Sequence, residues 1–106
     1  MEVSPEILYL EDAFIYIAGN FKKQFTWSKI TLIIAYKVDL ITVDDVRLDI
    51  FDDVSGVTIS EDEYFWDGLT KLMLKKLPEI DSNWFSKVVH PPFAQNKTIL
   101  YEKELN

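Results

Sequence analysis

From Trp27 to Phe51 the chain repeats with a period of two, and no other feature limits its fold as strongly. Ile30, Leu32, Ile34 and Tyr36 alternate with Ser28, Lys29, Thr31, Ile33 and Ala35. Lys37-Val38-Asp39 reads as a tight connection, Leu40 to Val43 as the next strand, and Asp44-Asp45 as a turn pair, since aspartates bond their own backbone in turns. Val46, Leu48 and Ile50 then point one way and Arg47, Asp49 and Phe51 the other, until Asp52-Asp53 closes the strand. Alternation of this kind places side chains on opposite faces of a pleated strand. The expectation is an antiparallel meander with short hairpins.

Helical signals flank this region. Ser4-Pro5-Glu6 has the order of an N-cap, a first-turn proline and a first-turn acid, which predicts a short helix over residues 5–12. One helix continuing through residue 18 is the rival, but Phe14-Ile15-Tyr16-Ile17 is aromatic and β-branched and favours a strand ended by Gly19-Asn20. Phe21 to Phe25 stays unassigned. After a turn at Ser55-Gly56, Val57-Thr58-Ile59 leads into a capping box, Ser60-Glu61-Asp62-Glu63. Phe65, Trp66, Leu69, Leu72, Met73 and Leu77 recur at helical spacing, Lys71, Lys75 and Lys76 gather towards the C-terminal end, and Pro78 stops the helix. A second helix is expected over Asn83 to Val89 behind Asp81-Ser82, and a strand over Lys97 to Glu104. The sum is a single domain, residues 1–106, of α+β class: a mostly antiparallel four- to five-stranded sheet with helices packed on one face.

Composition removes several function classes. With 106 residues, no cysteine and one histidine, neither a disulfide scaffold nor a cysteine- or histidine-based zinc site is expected within the chain. A net charge of −7 argues against nucleic acid as partner, because that footprint is basic. The first apolar run, Ile7 to Ala18, is broken by Glu11 and Asp12 and lacks a preceding basic region. It suits neither a signal peptide nor a membrane span, so a cytoplasmic protein is expected. Asn96-Lys97-Thr98 matches a glycosylation sequon, which in that setting has no role. The three glycines are scattered singly, no acid pair has the spacing of a calcium loop, and His90 precedes two prolines without a partner of triad spacing. No catalytic residue, cofactor or metal is therefore assigned.

What remains is charge. From Asp39 to Asp67 ten carboxylates face one cation, Arg47, whereas residues 1–38 are neutral and residues 68–106 slightly basic. Turns and caps account for some of these acids. Crowding all ten repels, by about 1 kcal/mol per close exposed pair in water, and electrostatic attraction of a basic partner is the functional explanation. Tyr64-Phe65-Trp66, if helical, spans about 200° of the helix surface, so at least one ring must reach solvent among acids. The candidate partner-binding residues are Asp44, Asp45, Asp49, Asp52, Asp53, Glu61, Asp62, Glu63, Tyr64, Trp66 and Asp67, forming one continuous outward field.

Val54 to Tyr64 ahead of an amphipathic helix, then Trp84-Phe85, Pro91-Pro92-Phe93-Ala94 and a terminal strand, resemble the small bacterial immunity proteins of polymorphic-toxin and contact-dependent growth-inhibition systems. The likeness is one of type and covers residues 54–101. It implies a non-enzymatic inhibitor that neutralises a cognate toxin domain, often a basic nuclease, by stoichiometric blockade. The alternative from the residues alone is a regulatory or assembly protein that homo-dimerises through exposed aromatics.

Overall fold

The computed structural model describes residues 4–90 and 97–104. Pro91 to Asn96, including the Pro-Pro-Phe-Ala stretch and the sequon asparagine, lie outside the described residues. Among the described residues the order is β1 (Glu6–Tyr9), β2 (Ala13–Ala18), β3 (Phe21–Thr26), a 3-10 turn (Trp27–Lys29), β4 (Leu32–Asp39), β5 (Asp44–Phe51), β6 (Gly56–Ser60), α1 (Trp66–Lys76), α2 (Trp84–Val89) and β7 (Thr98–Glu102). The α+β class read from the sequence is the one observed, with the strands divided between two antiparallel sheets, β1-β2-β3 and β6-β5-β4-β7.

The first sheet replaces the expected N-terminal helix. Glu6 to Tyr9 pair with Phe14 to Ile17, burying Ile7 while Leu8, Tyr9 and Leu10 stay exposed. Glu11-Asp12 is the hairpin turn, closed by the Leu10 amide on the Ala13 carbonyl at 2.8 Å. Glu6, with the pattern of a first-turn acid, thus lies in β1, and the acids at the end of the expected helix serve a β-turn. Gly19, at φ 61°, makes the next two-residue turn, whose first position demands left-handed backbone. The unassigned Phe21 to Phe25 becomes β3, bringing Phe25 onto Phe14 with ring centroids 5.2 Å apart and Trp27 within 5.0 Å of Phe14.

In the larger sheet the meander is present but its turn is displaced. Lys37-Val38-Asp39 is strand, Leu40 to Val43 is the loop, and Asp44-Asp45 opens β5, with Asp39 opposite Asp44. The displacement has a physical source in Lys37. It continues the buried face of Ile33 and Ala35, and its ammonium donates to the Val89 carbonyl at 2.8 Å, with the Asp44 carboxylate 3.6 Å away. A paired lysine can occupy a core position that its side chain alone would forbid. Opposite it, Val46, Leu48 and Ile50 share the inner face, and Ile59 pairs with Leu48. These residues form one buried cluster with Phe14, Phe25, Trp27, Leu69, Met73, Trp84 and Val88. Each large side chain buried in such a cluster contributes about 1.5–3 kcal/mol. At the β5–β6 hairpin, a Cβ on Gly56 would sit 2.3 Å from the Phe51 ring, so only glycine fits opposite that ring.

The capping box does not form. The Ser60 hydroxyl donates to Asp45 at 2.8 Å and accepts the Asp62 amide at 3.1 Å, and Glu61 accepts the Val46 amide on Oε1 at 2.9 Å. Of the residues with a helix-start pattern, Ser60 is the end of β6 and Glu61 to Glu63 lie in the turn that follows, and α1 begins at Trp66 without a side-chain cap.

The β4–β5 loop contains Ile41 at φ 78°, the one non-glycine residue with positive φ among the described residues. The Thr42 amide donates back to the Leu40 carbonyl at 2.9 Å, which makes a γ-turn of the rare, strained hand. Left-handed backbone costs a β-branched residue about 1–2 kcal/mol. Glycine costs about 0.5–1 kcal/mol in chain entropy instead. Ile41→Gly should therefore leave the protein as stable or up to about 1 kcal/mol more stable, read as an unchanged or slightly raised thermal midpoint.

Candidate protein-binding surface

The ten central carboxylates do not form one field. Asp44, Asp45, Glu61, Asp62 and Glu63 gather where β5 begins and β6 ends, whereas Asp52 and Asp53 lie at the opposite hairpin. Seven residues of strand, roughly 23 Å, separate the two groups.

Several acids are engaged by the chain itself. Asp45 is 3 % exposed; it accepts from Arg47 Nε at 2.8 Å and from the Ser60 hydroxyl. Its assignment to an outward field is corrected by this burial, which the cation and the hydroxyl make tolerable. Asp49, on the outer face of the sheet, accepts the Tyr36 hydroxyl at 2.9 Å and the Thr58 hydroxyl at 2.7 Å. Asp44 stands by Lys37, and Glu61 completes the β5 ladder. Asp52 pairs with Lys23 at 2.9 Å and accepts the amides of Val54 and Ser55 on Oδ1. Asp53 is exposed next to it.

The remaining candidates lie in one short stretch, Asp62 to Asp67. Tyr64 is 74 % exposed and packs edge-on against buried Phe65, centroids 5.4 Å apart. Asp62 precedes it, half-buried Glu63 adjoins it, and exposed Asp67 lies in the first turn of α1. Trp66, the other ring expected to contact a partner, is 7 % exposed and packs against Trp84, centroids 6.1 Å apart, which corrects its place on the surface. Helix α1 starts at Trp66 itself, so Tyr64 and Phe65 belong to the preceding turn and the helical 200° estimate does not apply to them.

Tyr9 joins this surface unannounced by the sequence, because β1 places it where a helix was expected. A Cβ on Gly68 would lie 3.3 Å from its hydroxyl, and its phenol is pushed up by burial and then by Tyr64. Glu63 is likewise pushed up, first by burial and then by the charges of Asp62 and Asp45. A cation arriving here would relieve that repulsion. Burial and then the charge of Glu63 raise Tyr16 too.

Among the described residues no three or more His, Asp or Glu side chains converge as a metal site, and no helix is long and apolar enough to cross a membrane. His90 ends α2, its amide donating to the Ser86 carbonyl at 3.2 Å. Comparison with protein-family models, curated proteins and solved structures returns no match. Function has to be argued from this surface.

Asp52 yields a pH test. Burial would raise its carboxyl, but the Lys23 ammonium and the amides of Ser55 and Val54 outweigh that and lower it from 3.8 to about 2. A depressed folded-state value stabilises the protein above pH 4 and loses that contribution as pH falls through about 2. After allowance for solvent screening the contribution is about 1–2 kcal/mol. Asp52→Asn should lower stability at pH 7 by that amount, and urea midpoints of variant and parent should converge as pH drops from 4 to 2.

Proposed function

We propose that this protein is an inhibitor of the immunity-protein kind, which holds a basic toxin domain through the surface centred on Tyr64. The observation that carries the reading is an exposed aromatic ring braced by a buried one and flanked by Asp62, Glu63 and Asp67. Aromatic anchors of this sort supply the desolvated centre of an interface, while a rim of like charge speeds encounter with an oppositely charged partner. Glu63 adds a specific incentive, since it is crowded by Asp62 and Asp45 and gains from a cation. The acids engaged within the fold, Asp45, Asp49 and Asp52 above all, hold the sheet that supports this surface. The contact group is accordingly Asp62, Glu63, Tyr64 and Asp67, with Tyr9 added.

The test takes as candidate toxin the basic C-terminal domain of any large secreted protein whose gene neighbours the one for this chain. Co-expression should rescue growth from that domain, and the purified pair should bind one-to-one. Replacing Asp62, Glu63 and Asp67 together by Asn, Gln and Asn should slow association about tenfold at low salt and flatten its dependence on ionic strength. Tyr64→Ala should instead speed dissociation, at a cost of about 2 kcal/mol. Failure of rescue, or association indifferent to the triple replacement, would overturn the reading.

A further inference from the structure

The β4–β5 hairpin tip lies at the same end of the large sheet as Glu61 to Glu63, because β4 ends and β5 begins where β6 ends. Ile41 at its apex is 92 % exposed, Val43 62 % and Leu40 41 %. Isolated exposed aliphatic residues are ordinary. Here three occur within four residues, and the outermost is held in backbone that its side chain disfavours. The turn is nonetheless well defined: the Ile41 amide donates to Asp39 Oδ1 at 2.8 Å, the Leu40 amide to the Val43 carbonyl at 2.9 Å, and the Thr42 amide to the Leu40 carbonyl. Asp39 thus fixes the strained residue at the point of greatest projection. Neither solvation nor backbone preference favours this arrangement in the free protein, and strain of this kind concentrates at functional sites.

We propose that this tip is an insertion element: Ile41, flanked by Leu40 and Val43, enters a concave apolar pocket with a cationic rim on the basic protein partner. The inference rests on the reading of the acidic end as a contact surface for such a partner. Charge selects the occupant. The tip is bordered by Asp39 and Asp44 and shares its end of the molecule with Asp62 and Glu63, which suits a positively charged rim. A second copy would bring another −7 molecule against the same acids. Three aliphatic side chains also fall far short of the roughly 800 Å² per partner that a stable dimer buries. An anionic membrane surface is disfavoured by the same charges.

The test compares Ile41→Gly and Ile41→Asp with the triple charge replacement against the same basic domain, by surface plasmon resonance over a range of salt. Both Ile41 variants should bind at least tenfold more weakly through faster dissociation, with the salt dependence kept, and both should retain the parent's thermal midpoint or exceed it. Wild-type affinity in the Ile41 variants, while the charge variant is impaired, overturns the insertion element and leaves the charged surface standing. Loss of neither affinity overturns both. A marked fall in the Ile41→Gly midpoint would show that the tip serves the fold and overturn the proposal. Self-association of the protein alone in analytical ultracentrifugation, abolished by Ile41→Asp, would overturn it in favour of a second copy. Co-sedimentation with phosphatidylcholine vesicles that depends on Ile41 would overturn it in favour of a lipid surface.

Discussion

The pairing of β4 with β5 is the constraint on which the rest of the molecule depends. It runs in register from Leu32 opposite Phe51 to Asp39 opposite Asp44. A slip of β5 by one residue would turn Val46, Leu48 and Ile50 to the outer face and bring its Asp45-Arg47-Asp49 face into the core, against Ile33 and Ala35 of β4. Lys37 is tied to the same register. From its place opposite Val46 its ammonium meets the Val89 carbonyl, and that bond links the sheet to the end of α2. Charged groups this deeply buried are tolerable only with such partners, so the lysine penalises every other alignment.

That register also sorts the acids. On the outer face, Asp45, Arg47 and Asp49 of β5 meet Ser60 and Thr58 of β6 and Tyr36 of β4, and the side chains form hydrogen-bonded pairs across the ladder. These carboxylates are structural, each held by hydrogen bonds within the sheet. The acids outside the ladder, Asp62, Glu63 and Asp67, have no ion pair among the described residues and lie within three residues of the exposed Tyr64. A segment that looks uniformly acidic as a string of letters therefore divides, once folded, into a bonded framework and a smaller charged surface.

The sequence was legible where period and polarity agreed. Val46-Leu48-Ile50, the stop at Pro78 and the turn at Gly19-Asn20 each carry a local rule that the fold obeys. It was illegible where a polar residue did apolar work or a local pattern lost to a partner distant in sequence. Lys37 looked like a turn because nothing nearby reveals Val89 as its acceptor. Leu40 to Val43 looked like a strand because β-branched residues favour strands, yet they form the loop. Ser60 to Glu63 had every feature of a capping box, but Asp45 and the Val46 amide claimed the same side chains. The candidate surface was half visible. Asp62, Glu63, Tyr64 and Asp67 came from charge and aromatic content, whereas Tyr9 was hidden behind a helix signal and Trp66 was counted as exposed on a helix that had not yet begun.

All three tryptophans, Trp27, Trp66 and Trp84, are buried to 7 % exposure or less, and the aromatic group at the acidic end is a phenol. Indole emission from this molecule is therefore a report on its interior. It should register melting of the core, and it would be dim to an event confined to Tyr64. Indoles absorb at longer wavelengths than phenols, so exciting them alone follows the framework without the five tyrosines.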